Sequence, residues 1–375
     1  MFLIAQMVVA LVASVVLPVI TPSHSTPQFP TGSVEAIEPS PGGVFVGGTD
    51  LGPGAVKIVN NRIVWSIPGN NVWSLLKVRG GVLVGSAHGV SKYAPPSRRP
   101  RWQVPLKGTV SSLEHISGSR LVVAAGRFPG SLRVINVRTG TVAKKYTLPR
   151  LSGQCCTNSG PTRIYRADMQ PRGHRYIAVG EFAKVAGQSR SQAVMLRFSP
   201  TGARLVRWDM PALHTQCAKR QPSYINDAEW SHDGRRIAFA SGGGRRLGVC
   251  DSVTTVNGRA TGLNIQPNAI SRTCTDTLQS VEWAPDDRTI FAAGHQKCAE
   301  LRPGSLIFRP RYGLEALRAA NLHLRQWRSD KCRAVGSREL TWRAGLWVGY
   351  DCSFWGNEQG EHMHRSRLAF LPRRR

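Results

Sequence analysis

An all-β fold of tandem four-stranded sheets is what this sequence predicts, and two repeated patterns predict it. The first is a short apolar run ending near glycine: VFVGG at 44, VLVGS at 82, LVVAAG at 121, YIAVGE at 176, IAFASG at 237, IFAAGH at 290 and LWVGY at 346. Each copy follows another strand-like run and a polar or Gly-rich turn, as in VSSLEHISGS and INDAEWSHDG. Two adjacent strands joined by a tight turn make a hairpin. The second pattern lies further along the units, where most carry a third strand (GAVKIV, SLRVINV, AVMLRF, GSLIFR, SRLAFL) and four close on an aromatic and a proline. Those endings are Trp65 to Pro68, Trp102 to Pro105, Tyr146 to Pro149 and Trp208 to Pro211. Seven such units in one chain need both faces of every sheet covered, and radial packing supplies that. The expected architecture is a single seven-bladed β-propeller over residues 34–372, with six or eight blades as the alternative.

Taken in order, residues 1–25 read MFLIAQMVVALVASVVLPVITPSHS and contain no Asp, Glu, Lys or Arg. Ser23 and Ser25 stand at minus three and minus one before Thr26, as a signal-peptide cleavage site requires. A basic residue ahead of the apolar run is missing, so an uncleaved anchor is the alternative. Residues 26–33 precede the first blade, and Gln28 to Ser33 are placed to close the ring against the last blade. That blade shows only three clear strands of its own, and the fourth-strand signal is poor in blade 5. Residues 312–320 (YGLEALRAA) read as a short helical insertion in blade 6, and 373–375 as a basic tail.

Several of these units resemble known propeller repeats. WSHDGRRIAFAS, from Trp230 to Ser241, resembles the repeat of TolB-type and other WD40-like bacterial propellers, with His232 where those usually carry proline. WAPDDRTIFAAG, from Trp283 to Gly294, is similar but has Asp287 at the turn glycine. VINVRTGTVAKKY and LRFSPTGARLVRW resemble quinoprotein-like blades, and the longer stretch EFAKVAGQSRSQAVMLRFSPTGARLVRW is similar to repeats of secreted actinobacterial propeller proteins. These resemblances imply the architecture and leave the activity open, because propellers host unrelated functions.

The chain has eight cysteines, an even number that fits an oxidising compartment. Residues equidistant from a hairpin turn lie opposite each other. That symmetry pairs Cys217 with Cys250, Cys274 with Cys298 and Cys332 with Cys352. Cys155 and Cys156 are left over, either as a vicinal disulfide or bonded elsewhere.

Charge sets the functional expectations. The 375 residues carry 50 Lys or Arg against 22 Asp or Glu, a formal charge of +28, and between 51 and 167 the only acid is Glu114. An anionic polymer is therefore an expected partner, with a protein or a membrane surface as further possibilities; intracellular nucleic acid is disfavoured by export. Arg98, Arg99 and Arg101 beside Trp102, with Lys144 and Lys145 on a late strand, are the basic binding candidates. At the mouth, where the long loops gather, the candidates are His295, Glu358, His362 and His364; Asp227, on a first strand where its counterparts are Arg166, Ser280 and Ser74, is a separate candidate for a specific contact. The His-x-His pair with neighbouring carboxylates is the one weak metal signal, and which metal, if any, stays unknown. Glu38, Glu114, Asp168, Glu229, Glu282 and Glu339 recur at or near one place and read as structural acceptors for the next blade. No cofactor motif and no complete catalytic constellation occurs. The expectation is thus a secreted, monomeric, non-catalytic binding propeller, with an extracellular hydrolase or lyase as the alternative and a membrane-anchored chain as the alternative location.

Overall fold

The computed structural model describes residues 16–69, 71–155, 161–214, 217, 224–243, 248–271, 274–298, 311–329, 336–352, 354–356, 362–364 and 366–374. Apart from one short 3-10 turn, Pro211–His214, the regular structure there is all strand. The main sheets open with the strands Ser33–Ser40, Val72–Val78, Thr109–His115, Arg163–Met169, Tyr224–Trp230, Leu278–Trp283 and Ser337–Trp342. Each first strand pairs antiparallel with the next strand in its unit. The first strands also pack side by side in chain order, and the last returns to the first. The result is a closed ring around a narrow central channel.

Every one of these first strands carries a bulge at the same place. The interrupted register falls at Glu35, Trp73, Tyr165, Asn226, Gln279 and Arg338, and opposite Ser111 in the third unit. The bulge explains the glycine of the sequence repeat. It pushes first-strand atoms against the second strand, so that a Cβ on Gly126 would come within 2.1 Å of the Thr109 carbonyl and one on Gly180 within 2.2 Å of that of Arg163. Only glycine tolerates such an approach.

The closing aromatics reach from one sheet to the next. Trp65 Nε1 donates to the Ser97 carbonyl, Trp102 Nε1 to that of Val137, and the Tyr146 hydroxyl to that of Ser199. Trp208 is fully buried against Phe239. Each repeat ending therefore packs its ring against the neighbouring sheet, and in Trp65, Trp102 and Tyr146 the polar tip also finds a backbone acceptor there.

Four details differ from the sequence reading. Residues Arg311–Arg318 form a strand, not a helical insertion. The i, i+3 spacing of Leu314 and Leu317 fits a helix, but Leu314, Glu315, Ala316 and Leu317 are all buried, as in a strand covered on both faces. GSLIFR, expected to be that third strand, lies outside the described residues. Lys144 and Lys145 sit in an exposed turn beyond the Ile135–Val142 bridge rather than on a strand. Ring closure begins upstream of Gln28: the Val19 and Ser23 amides donate to the carbonyls of Pro372 and Phe370 on the strand Leu368–Pro372, at 2.7 and 2.8 Å. Further up, the Phe29 amide donates to Ser366. The supposed tail is also tied in, since the Arg373 and Arg374 amides donate to Ala344 and Leu17.

Cys217 and Cys250 are joined by a disulfide. Cys274 and Cys298 are direct Cα partners in their ladder, with side chains outside the described residues. Cys352 is disulfide-bonded; Cys332, the partner expected from hairpin symmetry, and Cys156 lie outside the described residues, while Cys155 is half-buried.

Candidate functional site

The bulge residues ring the mouth of the channel. Below them, toward the first-to-second turns, come Ala36, Ser74, Ser112, Arg166, Asp227, Ser280 and Glu339, and two residues further on Glu38, Leu76, Glu114, Asp168, Glu229, Glu282 and Thr341. Five acids thus share one level. Glu339 belongs to the level above, beside Arg166 and Asp227.

The acid level stitches sheet to sheet. Glu38 Oε1 accepts the Lys77 amide at 2.9 Å and Asp168 Oδ2 the Trp230 amide at 2.7 Å. Glu114 and Glu282 likewise accept the Met169 and Trp342 amides. The acceptor always serves the residue one past its own equivalent in the next sheet. Asp227 is committed similarly, with Oδ1 on its own Ala228 amide and Oδ2 on the Val281 amide. Arg166 crosses the channel above them. Its Nη1 donates to the carbonyls of Trp73 and Ser111 and its Nη2 to those of Glu35 and Arg338, and Nη2 lies 3.0 Å from Glu339 Oε2. One guanidinium from the fourth sheet thereby holds the first, second, third and seventh.

Burial dominates the electrostatics here. It pushes Glu38 and Asp168 up to about 7 and Glu339 up to about 8, even with Arg166 at contact distance. Glu114, Glu229 and Glu282 are raised well above the carboxylate range by burial first and by neighbouring acids second. Burial opposes the Arg166 charge, yet Glu339, Asp227, Glu35 and Glu229 together raise it above the ordinary arginine value. Raised carboxyls bind protons more tightly in the folded than in the unfolded chain. Their contribution to stability is therefore full below about pH 4.5 and is lost as pH rises through about 7 to 8. Thermal unfolding at constant ionic strength should show a melting temperature about 2–4 °C lower at pH 8.5 than at pH 5.5. A flat or rising profile across that window would contradict the buried acid ring.

Above Arg166 the mouth widens into a vestibule of about 260 Å³, lined by Glu35, Trp73, Arg127, Arg163, Tyr165, Asn226, Gln279 and Arg338 among others. Arg163 stacks on Tyr165 and pairs with Glu181 at 3.3 Å, and the Tyr165 hydroxyl, pushed up to about 12 chiefly by burial, bonds both. Arg127 and Arg338 are exposed and form no salt bridge among the described residues. Gln279 Oε1 is buried with no hydrogen-bond partner there. A cleft of about 500 Å³ between the first two sheets is larger, but its walls, including Pro68, His88, Tyr93 and Pro105, bring no opposed charges together.

The opposite face of the ring is built from turns, and these are rich in arginine. The first-to-second turns carry exposed Arg79, Arg120, Arg172, Arg235, Arg288 and Arg343. The third-to-fourth connections add Arg62, Arg98, Arg99, Arg101, Arg138 and Arg259, all exposed. Charge is thus sorted by face around the whole ring as well as by the 51–167 sector.

Of the residues singled out from sequence, Arg98, Arg99 and Arg101 lie together in an exposed loop on this turn face, while Trp102 is spent on its latch to Val137. Lys144 and Lys145 are on the outer edge. Asp227 is buried in the channel. His295 is half-buried in the extended strand Thr289–Cys298 on the mouth side. His362 and His364 belong to a short ribbon in which they pair with Gly356 and Phe354, and Glu358 lies outside the described residues. Among the described residues no group of three or more metal-binding side chains converges. The vestibule residues themselves were missed, because the bulge position holds a different residue in every repeat.

No family model matches this chain, and no curated protein matches it. Solved structures do. The WD40 repeats of RRP9 superpose with a TM-score of 0.61 at 11% identity, covering 96% of this chain and all of that one. The structure of U3-55K gives 0.60 at 11% identity over 94% of this chain and all of that one, and the computationally designed Ika8 protein 0.53 at 9% over 94% and all. At such identities the likeness concerns the fold alone: the chain is a β-propeller.

Proposed function

We propose that this protein is an exported, non-catalytic seven-bladed propeller that takes an anionic group of an envelope polymer into its mouth. The seven-blade count is supported by the seven bulged first strands and by the seven glycine-ended second strands opposite them. Export is supported by the apolar leader and the Cys217–Cys250 disulfide.

A single observation carries the binding reading. The acid level repeats round the ring, as a structural position must, whereas the bulge level at the mouth reads Glu, Trp, Ser, Tyr, Asn, Gln, Arg, with no residue used twice. Symmetry is abandoned where a ligand would be read. Arg127 and Arg338 offer planar donors to a carboxylate, sulfate or phosphate, Trp73 a stacking surface, and the Gln279 carbonyl oxygen an acceptor for a hydroxyl. Those are the groups an acidic sugar presents, and about 260 Å³ is room for one such unit.

Titration calorimetry with oligogalacturonate against a neutral glucan tests this. Arg127→Gln with Arg338→Gln should weaken uronate binding at least about a hundredfold, since each charged hydrogen bond contributes roughly 1.5–3 kcal/mol, and Trp73→Ala about tenfold. Equal affinity for the neutral glucan would sink the reading. Shortened or unsaturated products in the cell would replace it with the hydrolase or lyase alternative.

A further inference from the structure

We propose that the turn face, opposite the mouth, is a docking surface for a membrane rich in anionic lipid. Three independent features meet on that face. The first is its charge: arginines stand in the first-to-second turns of six of the seven units. Among the described residues only Asp233, Asp286 and Asp287 oppose them there, and the last two are already engaged. Asp287 accepts the His232 and Asp233 amides and contacts the His232 ring, while Asp286 accepts the Arg288 and Val16 amides. The remaining described acids lie in the channel, within a sheet or on the mouth side. A one-signed face of this kind projects its potential about 8 Å at physiological salt.

The second feature is where the chain enters the ring. The Val16 amide donates to Asp286 Oδ2 in the first-to-second turn of the sixth unit, and Leu17 accepts from Arg374. The fifteen residues upstream of Val16, Met-Phe-Leu-Ile-Ala-Gln-Met-Val-Val-Ala-Leu-Val-Ala-Ser-Val, contain no charged side chain. The most apolar part of the sequence therefore joins the molecule on its most cationic face. The third feature is a pair of large apolar side chains on the same rim, Ile63 and Val64, exposed by 46% and 56% beside Arg62. Isolated exposed residues need no explanation, but two in succession next to a cation suit the boundary between headgroups and acyl chains.

The three together favour lipid over a soluble polyanion, which would explain the arginines and neither of the other two. Docked this way, the ring presents its mouth away from the bilayer. Basic residues near an anionic bilayer each contribute about a fivefold increase in partition.

The test is co-flotation of the full chain with vesicles of phosphatidylcholine alone and of phosphatidylcholine with one-third phosphatidylglycerol, at low and high salt. Arg79→Glu with Arg138→Glu should lower partition to the anionic vesicles at least about twentyfold, with the loss shrinking at high salt. Arg150→Glu with Lys184→Glu makes the same charge change at exposed positions on the mouth side and should alter partition less than about threefold. Arg79→Lys with Arg138→Lys should retain binding, which separates lost charge from lost fold. Equal losses from both Glu pairs, or equal partition to neutral and anionic vesicles, would overturn the proposal. So would heparin binding that follows the Arg79 and Arg138 pair while vesicle binding does not. Oligogalacturonate binding by the turn-face variant, measured in parallel, keeps the two sites distinguishable.

Discussion

Replacing Arg166 by methionine is expected to lower the unfolding free energy by about 3–5 kcal/mol, the usual consequence of removing one partner from a buried charged network. Methionine has similar reach and reasonable fit, so the loss would not reflect a cavity. It would reflect what is left behind. Four carbonyls, of Glu35, Trp73, Ser111 and Arg338, lose their donor, and Glu339 and Asp227 lose the cation that opposes their burial. Both acids should then bind protons more tightly still in the folded chain. The sign follows: the variant should recover part of its deficit at pH 5 and lose more at pH 8.5. Lysine should not rescue it, because a single ammonium cannot address carbonyls on both sides as a guanidinium fork does. Urea unfolding at the two pH values measures both effects; a loss below about 1 kcal/mol at each would mean that the ring is held without its central cation.

Much of this fold was legible in the sequence because its repeats record physical constraints. The glycine-ended runs mark where a second strand passes a bulge, as at Gly126 and Gly180. The closing aromatics mark the latches from Trp65, Trp102 and Tyr146. Asp287, in place of the expected turn glycine, adopts φ +53°, close to the +65° of Gly234 in the equivalent turn, a conformation aspartate tolerates better than most residues. The recurrent acids were legible as acceptors for the neighbouring sheet, and the hydrogen bonds of Glu38 and Asp168 are of that kind.

What was not legible has physical causes that differ from place to place. A bulge inserts a residue without disturbing the apolar alternation on either side, so Trp73, Tyr165 and Gln279 leave no periodic trace. The charge map was half legible. Counting along the chain finds the basic sector from 51 to 167, whereas the turn face gathers arginines from successive turns that lie far apart in sequence, such as Arg79, Arg172 and Arg343. Residues 312–320 misled because a strand covered on both faces loses its alternation, and the leftover leucine spacing then fits a helix.

A chain that begins at Thr26 is expected to be destabilised by about 5 kcal/mol or more, a large share of the stability of any domain. A chain that begins at Val16 is expected to keep most of it. The difference lies in the strap that completes the last sheet. Removing residues 16–25 takes away the Val19 and Ser23 amide bonds to Pro372 and Phe370, and the Leu17 acceptor for Arg374. It strips the Pro18 carbonyl from Trp327 Nε1 and the Ile20 carbonyl from the Ser329 hydroxyl. Trp327 is fully buried and loses one of its partners, and the core cluster around Phe291 and Trp355 loses the cover of Leu17 and Ile20. Opening a ring at its seam also exposes the Leu368–Pro372 edge to pairing with other chains. The consequence reaches processing. Cleavage after Ser25, where the small-residue pattern falls, would discard the strap, so an exported chain that keeps its fold should begin at or before Val16 or retain its apolar leader. On the export reading, intact mass of the mature protein, with melting curves of the two truncated chains, decides the matter. If the chain starting at Thr26 melts within about 2 °C of the one starting at Val16, the strap is dispensable and the seam is closed by other means.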